Sequence, residues 1–91
     1  MALRISRFCE SHGTQIVLSG ELRGTHLVDL RSEMEQFGPP ATLDLNEVNV
    51  VDIDGIRFLN QCQAHGIHVV NCAAYIREWM LLEKRALRDS E

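Results

Sequence analysis

The first residues of the chain alternate between apolar and polar positions. Leu3 and Ile5 lie on one side of a run spanning 3–8, and a second run of β type covers 15–22. Between them, 11–14 (Ser-His-Gly-Thr) has the composition of a turn. The pattern predicts two strands joined as an amino-terminal hairpin.

The spacing of apolar residues then changes to three and four, which predicts a first helix. Gly24-Thr25 is the predicted cap, and Gly38-Pro39-Pro40 is predicted to end the helix. The apolar positions are Leu27, Leu30, Met34 and Phe37.

Two short apolar runs of β type, 43–45 and 48–51, lead into 52–55 (Asp-Ile-Asp-Gly) and a second helical pattern. We predict that Asp54 is the N-cap of this helix, which continues to about residue 64 with Gly66 at the C′ position. The predicted inward stripe is Ile56, Leu59 and Cys62, with Phe58 beside it.

Residues 67–71 predict a short buried strand, of the kind found in parallel sheets. The last helix is predicted from residue 73 or 74 to 87, with a domain over 1–88 and a frayed tail at 89–91. Its predicted buried face is Ile76, Trp79 and Leu82, with Tyr75 at its margin, while Met80 or Leu81 is partly exposed.

The predicted order is therefore ββαβαβα, which indicates one α/β domain. Strands separated by single helices require right-handed crossovers, so we expect a mixed sheet of about four strands with helices packed on it.

Composition excludes several functions. The formal charge of −4 and the scattered basic residues argue against a nucleic-acid binder. No apolar run approaches the roughly 20 residues that span a bilayer. Three cysteines, an odd number in a chain without secretory features, favour free thiols in the cytoplasm.

The segment 43–59 (LDLNEVNVVDIDGIRFL) resembles the core signature of the STAS domain, the fold of bacterial anti-sigma factor antagonists. Members typically have an apolar strand, then Asp-Ser-Ser or Asp-Ser-Thr, then Gly and an apolar helix. The segment 19–22 (Ser-Gly-Glu-Leu) is similar to another family sequence, Gly-Glu-Leu-Asp, although Arg23 replaces the Asp. The serine that a partner kinase phosphorylates in the family is Ile53 here, so we expect no phosphorylation at this position.

The resemblance implies a non-catalytic module for regulating transcription by signalling, which binds a protein partner at the start of the second helix. That partner is an anti-sigma factor or similar kinase, or, alternatively, the ATPase of a lipid-transport ABC system. A structural homodimer through the last helix is an alternative of another class. The expected partner-binding residues are Asp52, Ile53, Asp54, Gly55, Ile56, Arg57 and Phe58. Asp54 either caps the helix or also presents a fixed negative charge in place of a phosphate.

Enzymatic and metal-binding interpretations are weaker. An aspartyl-phosphate receiver needs a lysine beside its acidic cluster, and the single lysine, Lys84, lies deep in the last helix. Cys62, His65, His68 and Cys72 suit zinc by type, but their predicted positions do not converge. Cys72 precedes a helix, yet we expect packing rather than reactivity. We therefore expect neither catalysis nor a cofactor.

Overall fold

The computed structural model describes residues 3–11 and 13–89, and it confirms the predicted element order and the α/β class. His12, within the predicted turn, lies outside the described residues. In chain order, the elements are β1 (Leu3–Glu10), β2 (Gly13–Leu22), α1 (Gly24–Phe37), β3 (Thr42–Val51), α2 (Ile53–Ala64), β4 (His68–Val70) and α3 (Ala74–Asp89).

Within this description the strands form one mixed sheet in the order β1-β2-β3-β4. β1 and β2 are antiparallel, as expected of a hairpin, whereas β2–β3 and β3–β4 are parallel. The β2–β3 register shifts between Val17 and Ser19 and again between Gly20 and Glu21. These irregularities accommodate extra residues in β3, which runs through both apolar segments as one strand of ten residues, as the predicted order requires.

Burial alternates along the central strands, because successive side chains point to opposite faces of a sheet. Ile16 and Leu18 of β2 are fully buried, as are Leu43 and, to within 1%, Leu45 of β3. The helices contribute to the same core, which also contains Leu30, Ile56, Leu59 and Ile76. At the edge of the sheet, Arg7 of β1 donates to Glu33 of α1 at 3.3 Å.

The N-cap of the first helix lies one residue before the predicted cap. Its N-cap is Arg23, whose side chain makes no capping hydrogen bond, and Gly24 is the first helical residue. The predicted end at Gly38 is confirmed: its φ of 86° is a left-handed conformation that glycine adopts without strain. Phe37 is exposed rather than directed at the core.

The buried face of α3 differs from the prediction. Ile76 is buried as expected, but Met80 takes the next core position, and Leu82 and Tyr75 are exposed. Trp79 is only partly buried. Nδ2 of Asn60 in α2 donates to the Met80 carbonyl oxygen at 3.0 Å, which joins the two helices beside this core position.

The ends of the last two elements also differ from the prediction. β4 covers only His68–Val70, and α3 continues to Asp89, two residues beyond its predicted end. Residues 90 and 91 lie outside the described range. Within that range, the structure has no helix with the length and apolar character required to span a bilayer.

Candidate functional site

The first residues of α1 and α2 lie side by side where β2 and β3 end, and the Asp52 carboxylate binds both helices. Oδ1 of Asp52 accepts a hydrogen bond from the Gly55 amide at 2.8 Å, and Oδ2 accepts from the Gly24 amide at 2.9 Å. The first N–H groups of a helix have no partner within the helix. Asp52 therefore satisfies one such donor in α2 and another in α1, and it fixes the two helices to each other.

The prediction that Asp54 caps α2 is wrong. Asp52 is the N-cap: its backbone is extended, with φ −102° and ψ −179°, and its side chain accepts from Gly55, three residues ahead. Asp54 lies in the first turn of the helix and is exposed.

Close packing requires a glycine at position 55, and the glycine at position 24 has a carboxylate close beside it. A Cβ at Gly55 would lie 2.5 Å from the Leu22 carbonyl oxygen, and one at Gly24 would lie 2.7 Å from Oδ2 of Asp54. The Asp54 carboxylate therefore lies against the first residue of α1. The positive end of the α1 macrodipole favours a negative charge at this place.

The carboxyl group of Asp52 is held ionised by its partners. Desolvation alone would raise its pKa, but the hydrogen bonds from the Gly24 and Gly55 amides, with the nearby charge of Arg23, outweigh that effect. The net result is a pKa below the ordinary value. A lowered pKa of this kind is expected of a structural cap, because hydrogen bonds to the charged form favour ionisation.

The structure brings the seven predicted partner-binding residues together but does not expose all of them. Asp54 and Arg57 are exposed; Asp52 and Ile53 are partly buried; Gly55, Ile56 and Phe58 are buried. The accessible part is therefore mainly a pair of opposite charges one turn apart, with Ile53 at its edge.

Sequence reasoning missed the contribution of α1 to this surface. Val28, 68% exposed, and Arg31 line a groove of about 460 Å³ together with Asp54 and Arg57. Nothing in the sequence pairs α1 with α2, so only the fold could show these neighbours. The α2-start surface is defined here as Ile53, Asp54 and Arg57 of α2 with Val28 and Arg31 of α1.

The two arginines of this surface are oriented by different partners. The Arg31 guanidinium lies 5.4 Å from the centre of the Phe58 ring, a cation–π arrangement. Nε of Arg57 donates to Oε1 of Glu83 in α3 at 2.7 Å, and this hydrogen bond raises the pKa of Arg57. Arg31 is therefore held over the floor of the groove, while Arg57 is held towards α3.

The Cys62 thiol lies near Arg31 and Phe58 of this part of the molecule. Burial raises the pKa of the Cys62 thiol to about 11 despite the nearby Arg31, which disfavours the thiolate. Among residues 3–11 and 13–89, no three His, Cys, Asp or Glu side chains are placed to hold a metal ion.

A comparison with solved structures identifies the fold. The chain is similar to a structure described as an uncharacterised protein of the DUF3478 family with a SpoIIAA-like fold, from Shewanella loihica PV-4. The TM-score is 0.50 at 13% sequence identity, and the similarity covers 75% of this chain and 62% of that one. No family model and no curated protein matches the sequence. The SpoIIAA-like fold is the STAS, or anti-sigma factor antagonist, fold, so the predicted fold is confirmed.

Proposed function

We propose that this chain is a non-catalytic regulatory module of the bacterial cytoplasm, which binds a protein partner through the α2-start surface without a phosphorylation switch. The observation that carries the proposal is the bridge from Asp52 to Gly24 and Gly55 at 2.9 and 2.8 Å. Because this bridge fixes both helix starts, the charged groups around it are presented in one arrangement before a partner arrives. Preorganisation of this kind lowers the entropy cost of binding.

The absence of a switch rests on residue 53. Ile53 occupies the position that carries a phosphorylated serine in proteins with the resembling motif, and its side chain has no hydroxyl. The neighbouring Asp54 supplies a permanent single charge, whereas a phosphoserine would bring about −2 and three acceptor oxygens. Binding at this surface is therefore constitutive.

The groove defines the chemistry of the partner. Leu27, Val28 and Phe58 give it an apolar lining, while Asp54 and Arg57 supply charges of opposite sign at its start. A protein segment with an apolar anchor flanked by one basic and one acidic residue would match it. The resemblance favours an anti-sigma factor or related kinase as the owner of that segment. The ATPase of an ABC transporter is the second candidate.

Affinity capture from the native host, with a matched charge control, tests the proposed surface. We expect the unaltered chain and Glu47→Lys to retain the same partner, since Glu47 is exposed on β3 and outside the groove. Asp54→Lys, with the same change of charge, should lose that partner at least tenfold. Equal retention by all three chains, measured by quantitative mass spectrometry, would contradict the proposed surface.

A phosphorylation assay tests the constitutive part of the proposal separately. The captured partner and ATP should leave the mass of this chain unchanged, because residue 53 has no phosphate acceptor. Specific incorporation of phosphate into a serine, threonine or tyrosine of this chain would overturn constitutive binding, while leaving the location of the docking surface intact.

A further inference from the structure

One flank of α3 carries an apolar stripe that the domain itself leaves open. The stripe residues follow one another at spacings of four, three and four along the helix: Tyr75, Trp79, Leu82 and Ala86. Such spacing keeps side chains on one side of a helix, and it is the seam of a two-helix coiled coil. Tyr75 is 50% exposed and Leu82 61%, Ala86 is exposed, and Trp79 is partly buried at the margin of the core.

The stripe is separate from both the core face of α3 and its other exposed apolar residue. Ile76 and Met80 form the core face. Leu81 lies on the opposite flank, in a hollow with Gln63 and Lys84. The hydroxyl of Tyr75 donates to the Asn49 carbonyl oxygen at 3.0 Å. This bond holds the ring at one end of the stripe, so a partner meets a fixed side chain.

We propose that a second copy of this chain covers the stripe, with the two α3 helices antiparallel. In that arrangement Trp79 packs against Leu82 of the second copy, and Tyr75 packs against its Ala86. Each of these contacts between the two helices then pairs a large side chain with a smaller one. A parallel pair would place Trp79 on Trp79 and Ala86 on Ala86, which leaves one layer crowded and another empty.

Charges beside the stripe favour the same orientation. Glu78 and Arg85 are both exposed and are seven residues apart, which places them along one edge of the stripe. Neither forms an ion pair with a side chain that the structure describes. When two such helices are antiparallel, each Glu78 faces Arg85 of the other copy, so the pair forms twice about the two-fold axis.

The size of the stripe indicates a weak dimer. From Tyr75 to Ala86 the helix rises about 16 Å at about 1.5 Å per residue. A single helix contact of this length buries less area than the roughly 800 Å² per partner of a standard stable interface. We therefore expect dissociation in the micromolar range or above, with the dimer forming as the concentration rises. The inference concerns α3 alone, and it does not depend on the proposed docking function.

Sedimentation equilibrium of the full chain, from about 1 µM to about 1 mM, tests the inference with two matched variants. Leu82→Glu places a charge in the centre of the stripe and should abolish the dimer over this range. Leu81→Glu makes the same change on the other flank and should leave association unchanged. Circular dichroism establishes that both variants are folded.

A charge exchange then tests the orientation. Glu78→Arg and Arg85→Glu, each alone, should weaken self-association about tenfold at low salt, because two attractive pairs become repulsive. An equimolar mixture of these two variants should associate again, since each copy then offers the charge that the other lacks. Added salt should reduce this effect, because it screens exposed charges.

Three results would overturn the proposal. The first is an unaltered chain that stays monomeric to about 1 mM, well above the range expected for such a dimer. The second is equal loss of association in Leu81→Glu and Leu82→Glu, which would indicate unspecific contact. The third is a mixture of the charge variants that fails to associate, which would exclude the antiparallel pairing.

Discussion

Replacing Asp52 is expected to destabilise the domain much more than replacing Asp54, although both carboxylates lie at the start of α2. Asp52→Ala removes hydrogen bonds to the Gly55 and Gly24 amides, at 2.8 and 2.9 Å. It also leaves a main-chain donor without its partner in each of two helices. Asp54→Ala removes only a charge near the helix starts.

The magnitudes follow from the two kinds of interaction. Loss of an N-cap costs about 1 kcal/mol, and loss of a second, charge-assisted hydrogen bond adds about 1.5 kcal/mol. We therefore expect Asp52→Ala to lower the free energy of unfolding by about 2–3 kcal/mol. Asp54→Ala should cost about 0.3–1 kcal/mol, the contribution of an exposed carboxylate to a helix dipole.

Urea unfolding at pH 7, followed by the fluorescence of the single tryptophan and by circular dichroism, measures both values. Asp52→Asn is an informative third variant, because its amide oxygen can still accept from Gly55 while its NH₂ group faces the Gly24 amide as a second donor. Its stability should fall between those of the unaltered chain and Asp52→Ala. A loss in Asp54→Ala equal to that in Asp52→Ala would refute the assignment of the cap.

Because the pKa of Asp52 is lowered, the stability that this residue contributes should depend on pH in a direction that can be stated in advance. A carboxyl group whose pKa is lower in the folded chain stabilises the fold at pH values above its ordinary pKa, here 3.8. That contribution is lost as the pH falls through the folded pKa. The stability difference between the unaltered chain and Asp52→Ala should therefore be constant from pH 7 to about pH 5 and should narrow below about pH 4. A difference that grows on acidification would contradict this reasoning.

Three further predictions concern packing and thiol reactivity. Ile76→Ala should cost about 2–5 kcal/mol in urea unfolding, because the side chain is fully buried, whereas Leu82→Ala should change stability by less than about 0.5 kcal/mol. Gly55→Ala should cost about 1–3 kcal/mol or more in the same assay, since its Cβ would lie 2.5 Å from a main-chain oxygen of β2. At pH 8, iodoacetamide should label the exposed Cys9 well before the buried Cys62, whose thiol pKa is about 11, as peptide mass spectrometry would show.

The fold could be predicted because local signals agree with one another over most of the chain. Alternating residues mark the hairpin, and the spacing of Leu27 and Leu30 marks α1, which ends at Gly38 as predicted. The full length of β3 has a weaker local signal, because its middle is polar: Asn46 and Glu47 are both exposed. Pairing with β2 carries the strand through them, and that pairing is not visible in the local sequence.

The face of α3 could not be predicted for a different reason. Ile76, Trp79 and Leu82 fit a helical stripe, but so do Ile76 and Met80, because apolar residues cover more than one side of this helix. Packing of α3 on the core buries Ile76 and Met80, and Asn60 of α2 donates to the Met80 carbonyl oxygen at 3.0 Å. Only a tertiary contact contains that information. Met80→Glu would consequently place a charge in the core.

The sequence does not separate the roles of the two acidic residues at the start of α2. Two acidic residues flank Ile53, and sequence alone does not distinguish which one faces the backbone. The structure assigns the capping role to Asp52, which leaves the charge of Asp54 available to a partner. The α1 side of the groove, with Val28 and Arg31, depends on how the helices pack and has no local signal.

This division of roles has a consequence for regulation. Asp52 must stay ionised to hold two helices, so its carboxylate cannot report a signal at neutral pH. The next residue, Ile53, accepts no phosphate. On the proposed function, occupancy of the α2-start surface is then set by concentration and affinity alone. The proposed self-association through α3 would add a response to the chain's own abundance, and we expect that response over the micromolar range.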